Sequence, residues 1–375
     1  MSLEIREVTT KKDYKRFVQL PFTLYKDSPY WVPPIKSEEL QSLQAEHNPL
    51  VKQCSVKFWT VFKGEECVGR IGAIVHHKYI DKIGKKIGRF TRAEFINNNE
   101  VVDLLFETAT KWLKEQGMVE VQGPLGFSNL DHQGMLIEGF DHLPSIGSEY
   151  HLPYYQEHMD RMGFTKEMDW VEFRLAIEGM VLPEKALRVM ELVKKRNGFE
   201  VLHFDNNKDL IAYGQKIFEI LNEAFKDLFS VVTLDQEASD YYIKKYLTFL
   251  NPRFVKIMVD KDKEVVGFTI GLPSLSEAMQ KANGKLFPFG FYHMMKAMKN
   301  PKVCDVLLTG LHPKYQASGA IAPLFGELQN EMVKQGVEFI ETTGMLETNH
   351  KAISNWKNYP HEQHKRKRCY RKDIV

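Results

Sequence analysis

Cys304–Phe325 reads CDVLLTGLHPKYQASGAIAPLF, and the fold is decided here. Val306–Leu311 is an apolar run of the length of a buried strand, His312-Pro313 reverses the chain, and a helix is predicted to start near Gly319. Small residues line the junction: Ala317, Ser318, Gly319 and Ala320. The first amides of a helix have no partner within it and sit at the positive end of its dipole. A strand, turn and helix joined through small side chains is therefore an anion site where a phosphate can come close to the backbone.

Working outward, the predicted helix has its apolar residues at Ile321, Leu324, Phe325, Leu328 and Met332, stops at Lys334-Gln335-Gly336, and passes into a strand at Val337–Thr342. The same spacing of 3, 1, 3 and 4 recurs at Val101, Leu104, Leu105, Thr108 and Trp112, again ending at a glycine, Gly117, before a strand at Met118–Gln122. A hairpin precedes each helix. VKFWTVFKGEECVGRIGA begins at Val56 and VKIMVDKDKEVVGFTIGL at Val255, each alternating apolar and polar residues on both sides of a charged tip. Each half also continues past its last-named strand into a helix, near Pro153–Met162 and Lys351–Lys357, so the order is α+β and repeated. Asp169–Ala176 reads as a strand closing the first half, a boundary falls near Glu178–Pro183, and a helix from Glu184 to Arg196 opens the second.

The length of 375 residues fits two domains. A formal charge of +2 from 51 basic and 49 acidic residues gives no bulk attraction to nucleic acid or anionic membrane. Cys54, Cys67, Cys304 and Cys369 lack CxxC or finger spacing, which points to reduced thiols in the cytoplasm and to no metal centre. Histidines 76, 77, 132, 142, 151 and 158 show no ligand spacing either and are read as structural. No apolar stretch approaches the ~20 residues of a spanning helix. Gly123–Tyr150, containing GPLGFSNLDHQGMLIEGFD, is glycine-rich with few charges and is expected to cover a cleft between the halves. KRKRCYRK at Lys365–Lys372 is expected to be an exposed final strand with Cys369 and Tyr370 inward, and core packing is expected for most of FPFGFYHMM at Phe287–Met295.

The sequence of strand, His-Pro-x-Tyr, Gln-x-x-Gly and helix resembles motif A of the GNAT (GCN5-related N-acetyltransferase) superfamily. The resemblance implies two tandem acyl-CoA N-acyltransferase-like domains, each a mixed, mostly antiparallel sheet flanked by helices. Residues 1–180 would lack a cofactor loop and carry the insert 123–150; residues 181–375 would carry the motif-A-like loop 312–320. By the same resemblance, Gln316, Ala317, Ser318, Gly319 and Ala320 hold the pyrophosphate of acetyl-CoA or another acyl-CoA, and backbone amides near Leu311 polarise the acyl carbonyl. ETNHKAISNWKNY is similar to motif B, whose helix-capping Asn beside the pantetheine arm falls at Asn349. Ile321 stands where the family has a small residue and Trp356 where it commonly has Tyr. Glu341 is the carboxylate placed to deprotonate an amine, and Tyr359 is the phenol nearest the family's thiolate-protonating position. The activity implied is acyl transfer from acyl-CoA to a small-molecule or peptide amine. The alternatives are transfer from aminoacyl-tRNA, kept open by the basic tail, and a non-catalytic binding protein on the same fold.

Overall fold

A computed structural model describes residues 2–374. The strands run β1 (Leu3–Glu7), β2 (Cys54–Lys63), β3 (Glu66–His76), β4 (Ile87–Phe95), β5 (Glu120–Gly123), β6 (Met135–Glu138), β7 (Thr165–Ala176), β8 (Glu200–Leu202), β9 (Val255–Val259), β10 (Val265–Pro273), β11 (Val303–Leu311), β12 (Phe339–Thr342), β13 (Met345–Leu346) and β14 (His361–Asp373). They join in one 14-stranded sheet, ordered β1-β2-β3-β4-β5-β14-β7-β12-β11-β10-β9-β8, with β6 on β14 and β13 on β7.

The order is a palindrome of the repeat. The hairpins β2–β3 and β9–β10 are both antiparallel, and β4–β5 and β11–β12 are the two parallel pairs. A helix makes each parallel crossover, Asn99–Glu115 in the first half and Ile321–Lys334 in the second. The first is capped by Asn98, whose side chain accepts from the Val101 amide, and it buries Val101, Leu105 and Trp112. It lies so close to β3 that a Cβ at Gly69 would stand 2.8 Å from Leu105.

The centre departs from a simple pair of domains. β7, the last strand of the first half, pairs with β12 of the second (Ile340 opposite Leu175). β14, the last strand of the second half, pairs with β5 of the first (Tyr370 opposite Gly123). The two exchanged strands also pair with each other from His361↔Leu175 to Arg371↔Thr165. The basic run in β14 is thus a central strand rather than an exposed one. Cys369 and Tyr370 are buried as expected, but so are His364, Lys365 and Lys367.

Burying those lysines requires partners. Nζ of Lys367 lies 3.1 Å from Glu172 of β7, while Arg368 opposite Asp169 makes two bonds of 2.8 and 3.0 Å to its carboxylate. Removing one member of a buried pair strands the other charge, at a cost of about 3–5 kcal/mol, whereas replacing both by apolar residues is often neutral. Glu172→Ala and Lys367→Ala should each lower unfolding stability in urea by about that amount, and the Glu172→Leu/Lys367→Met double variant by much less. Additive losses in the double variant would show that the pair does not act as a unit.

Candidate functional site

The parallel pair β11–β12 holds together from Val303↔Phe339 to Val306↔Thr342 and then comes apart. The amide of Thr343 still reaches the Val306 carbonyl at 3.3 Å, and its hydroxyl donates to the Leu307 carbonyl at 2.9 Å. Beyond that vertex β13 turns away to pair with Val171 and Trp170 of β7. β11 runs on to Leu311, held on its other edge by β10. A bulge at this point, where Ile270 faces Leu308 but Gly271 faces Val306, leaves Leu307 as the extra residue and turns the strand outward. The result is a wedge with one free edge of β11, half-exposed at Leu307, Leu308 and Thr309 on one side and at Thr343, Gly344 and Met345 on the other.

At the end of that edge lies the loop singled out in the sequence. His312 folds back on its own turn, its ring nitrogen accepting from the Lys314 amide at 3.2 Å, and Pro313–Tyr315 forms a 3₁₀ turn. Amides of Gln316 and Ser318 bond turn carbonyls, and Ala320 reaches the Ser318 hydroxyl at 3.3 Å. Among the described residues the amides of Ala317, Gly319 and Ile321 have no backbone partner, so the expected anion site keeps alternate donors free. Gln316, Ala317 and Gly319 are exposed and Ala320 is buried. Gly319 has φ +79, a conformation glycine adopts without strain. The helix proper begins at Ile321. Asn349 caps the next helix, accepting from the Ala352 amide at 3.2 Å.

The equivalent wedge of the first half is plugged. β4 pairs with β5 only over Ile87–Arg89. Tyr155 stacks on Phe95 with ring centroids 4.3 Å apart and accepts from its amide at 3.1 Å, while Tyr154 donates to the Phe95 carbonyl at 2.6 Å. Tyr155 and Tyr25 both donate to the buried Glu94. Side chains therefore occupy the free edge of β4 that corresponds to the free edge of β11.

The two residues expected to perform chemistry are not brought together. Ile340 and Leu175 pack on the face covered by the Ile321–Lys334 helix, with Phe325, Trp356 and, partly buried, Tyr359. Glu341, one residue along the strand, points to the other face. Tyr359 donates to Gln329 at 2.7 Å, and burial pushes its phenol up to about 12. Trp356 packs against Phe325, centroids 5.1 Å apart.

On the Glu341 face lies a cluster that sequence reading missed. Glu341 bonds Arg174 at 3.1 Å and stands in register with Asp305 of β11. Burial raises the Glu341 carboxyl although Lys365 and Arg174 pull it down. Asp305 is fully buried, with no hydrogen-bond partner at either oxygen, although the Ser274 hydroxyl and Ile146 amide face it. Burial first, then Glu341, holds it well above the usual carboxylate range. The available signal was one acid inside the apolar run CDVLL.

The segment 123–150 covers this face and touches both halves. Ser128 shares a 2.6 Å bond with Tyr242, Ser276 donates to the Pro144 carbonyl at 2.7 Å, Lys365 donates to Leu143 at 3.0 Å, and Ser148 bonds Glu172. His132, on the same segment, bonds Glu149; burial works against its charge, but Glu149 holds the ring up at about 10. The aromatic segment Phe287–Met295 is largely exposed, not core, because the helix Gly290–Lys299 buries only its first residue.

No protein-family model matches the chain. Among solved structures it is similar to a tandem GNAT protein from the clavulanic acid biosynthesis pathway (TM-score 0.59, 13% identity, covering 100% of this chain and 99% of that one). It is also similar to a GCN5-related N-acetyltransferase from Sphaerobacter thermophilus (TM-score 0.53, 13% identity, 99% and 96%). The chain has the tandem GNAT fold. Its sequence is 28% identical to Protein YghO of Escherichia coli (strain K12), over 99% of this chain and 95% of the relative. It is 26% identical to Bacterial ceramide synthase of Caulobacter vibrioides (strain NA1000 / CB15N), over 99% and 98%.

Asp305 supplies a pH test. A carboxyl raised in the folded state favours folding while protonated, and that contribution is lost as pH rises from its unfolded value, about 3.9, towards the folded one. Asp305→Asn, which stays neutral, should therefore melt higher than the parent by a margin that grows as pH rises above the unfolded value of about 3.9. A margin that is flat or shrinks with pH contradicts the buried, uncompensated carboxyl.

Proposed function

We propose that this protein transfers an acyl group from an acyl-CoA to an amine, with the donor in the wedge of the second half. The observation that carries the reading is the contrast between the two wedges. The free edge of β11 leads to unpaired amides at Gly319, and the matching edge of β4 is filled by Tyr154 and Tyr155. In this reading Gln316–Ala320 and the start of the Ile321–Lys334 helix bind the pyrophosphate, Asn349 shapes the wall beside the pantetheine arm, and backbone amides between Leu307 and Leu311 polarise the thioester carbonyl. The relative named as a ceramide synthase supports a fatty acyl donor and the amino group of a long-chain amino alcohol as acceptor. Its groove would run under the 123–150 segment. All four cysteines are free, which supports a reducing compartment such as the cytoplasm.

The amine nitrogen attacks the thioester carbonyl, a C–N bond forms, the C–S bond breaks and CoA leaves as its thiolate, which takes a proton from water. The proton lost by the amine passes to the Asp305–Glu341 carboxyl pair, which sits one residue before the vertex of the wedge. Burial and the neighbouring Glu341 hold Asp305 protonated, so the accepting group is Glu341, whose basicity burial raises. Tyr359, bonded to Gln329 on the opposite face, is assigned to packing.

Calorimetric titration with acetyl-CoA and a long-chain acyl-CoA should give binding heat with the parent and about hundredfold weaker binding with Gly319→Glu, which adds a negative charge to the loop assigned to the pyrophosphate. No heat with any CoA species sinks the assignment. In turnover assays Glu341→Gln should lower kcat by about 10²–10⁴ with donor binding intact, and Tyr359→Phe should stay within about tenfold of the parent. The reverse ranking would move the proton chemistry to the helix face.

A further inference from the structure

From Ala278 to Cys304 the chain has no acidic residue and carries Lys281, Lys285, Lys296, Lys299 and Lys302. This stretch folds as a helical hairpin, Ser276–Ala282 and Gly290–Lys299, between β10 and β11. Its base is fixed. Gln280 donates to the Pro29 and Trp31 carbonyls at 2.8 and 3.1 Å, the Lys36 amide bonds Gly284 at 3.0 Å, and a Cβ at Gly284 would come within 2.5 Å of Phe22.

The tip points its apolar residues at solvent. Phe287 is 72% exposed and Phe289 71%, and Phe291, Tyr292 and Met295 are exposed with them. At 3.6 residues per turn Phe291 and Met295 form one stripe of the second helix, with Tyr292, Lys296 and Lys299 along its edge. Lys281 and Lys302 have carboxylate partners in Glu277 and Glu338. Among the described residues, Lys285, Lys296 and Lys299 have none. Rings that enter the headgroup boundary, flanked by lysines whose stems reach back to phosphate, make up the composition of an interfacial anchor.

We propose that this hairpin tip docks the protein on a lipid surface bearing anionic headgroups, Phe287, Phe289 and Phe291 entering the boundary layer and Lys285, Lys296 and Lys299 facing the phosphates. A second copy of the chain is disfavoured, because a two-fold contact would set these unpaired lysines against their own counterparts. No helix of the described residues is long and apolar enough to cross a membrane, so the contact is peripheral. The proposal stands on the surface alone and does not depend on the acyl-transfer reading.

The test is co-sedimentation of the full chain with vesicles of phosphatidylcholine alone and of phosphatidylcholine mixed equally with phosphatidylglycerol. Binding to the mixed vesicles should be about tenfold or more stronger than to the neutral ones and should weaken with added salt. Phe287→Ser/Phe289→Ser and Lys296→Glu/Lys299→Glu should each reduce it about tenfold or more, with unchanged melting temperatures since these side chains are exposed. Equal binding to both vesicle types, no binding to either, or variants that bind like the parent overturns the proposal. So does a parent that elutes as a dimer and becomes monomeric in the phenylalanine variant without having bound vesicles, which would make the tip a self-association surface.

Discussion

The structure depends on the reciprocal exchange of β7 and β14. A GNAT-like half of this chain lacks its own last strand next to β5 or β12, and each vacancy is filled by the other half. Neither half can therefore complete its sheet alone, and the seam between them is a long hydrogen-bonded ladder with two bulges instead of a soft interface. The exchange also explains the charges in its middle. Lysines and arginines of β14 that would be solvated at a sheet edge lie against Glu172 and Asp169. Paired charges of this kind add little net stability but penalise any register in which one of them is left alone.

From that seam follows the placement of the proposed site. Because β13 leaves β12 to join β7, β11 is left with a free edge, and the wedge opens there. Because β7, β12 and β11 lie side by side, Glu172, Glu341 and Asp305 share one face, and the 123–150 segment closes over it. The same architecture exists in the first half, but Tyr154 and Tyr155 satisfy the backbone that would otherwise meet a ligand. A duplicated fold thus presents one open edge and one filled edge, and only local side chains decide which is which.

Much of this was legible in the sequence, and the part that was not has a physical explanation. The hairpins, the two crossover helices and the helix start near Gly319 follow from periodicities of two and 3.6 and from glycine stops, which are local signals. The exchange is a pairing between residues about 200 positions apart, and alternation cannot say which partner a strand chooses. KRKRCYRK accordingly reads as surface until Glu172 and Asp169 are seen opposite it. Phe287–Met295 reads as core by composition, yet its hairpin has nothing above it to pack against. Asp305 was invisible because one acid in an apolar strand gains meaning only from the neighbour that Glu341 provides. Tyr359 lies near Trp356 in sequence, yet it packs against Phe325 on the helix-covered side while the pleat turns Glu341 to the other face.

The central claim is that the wedge between β11 and β12 is the donor site. A crystal structure with a non-transferable acyl-CoA analogue tests it most directly. The account predicts electron density for pyrophosphate at the Ala317, Gly319 and Ile321 amides and for the pantetheine arm along Leu307–Leu311, with Tyr154 and Tyr155 unmoved. Density in the first-half wedge, with those tyrosines displaced from Phe95, would contradict it.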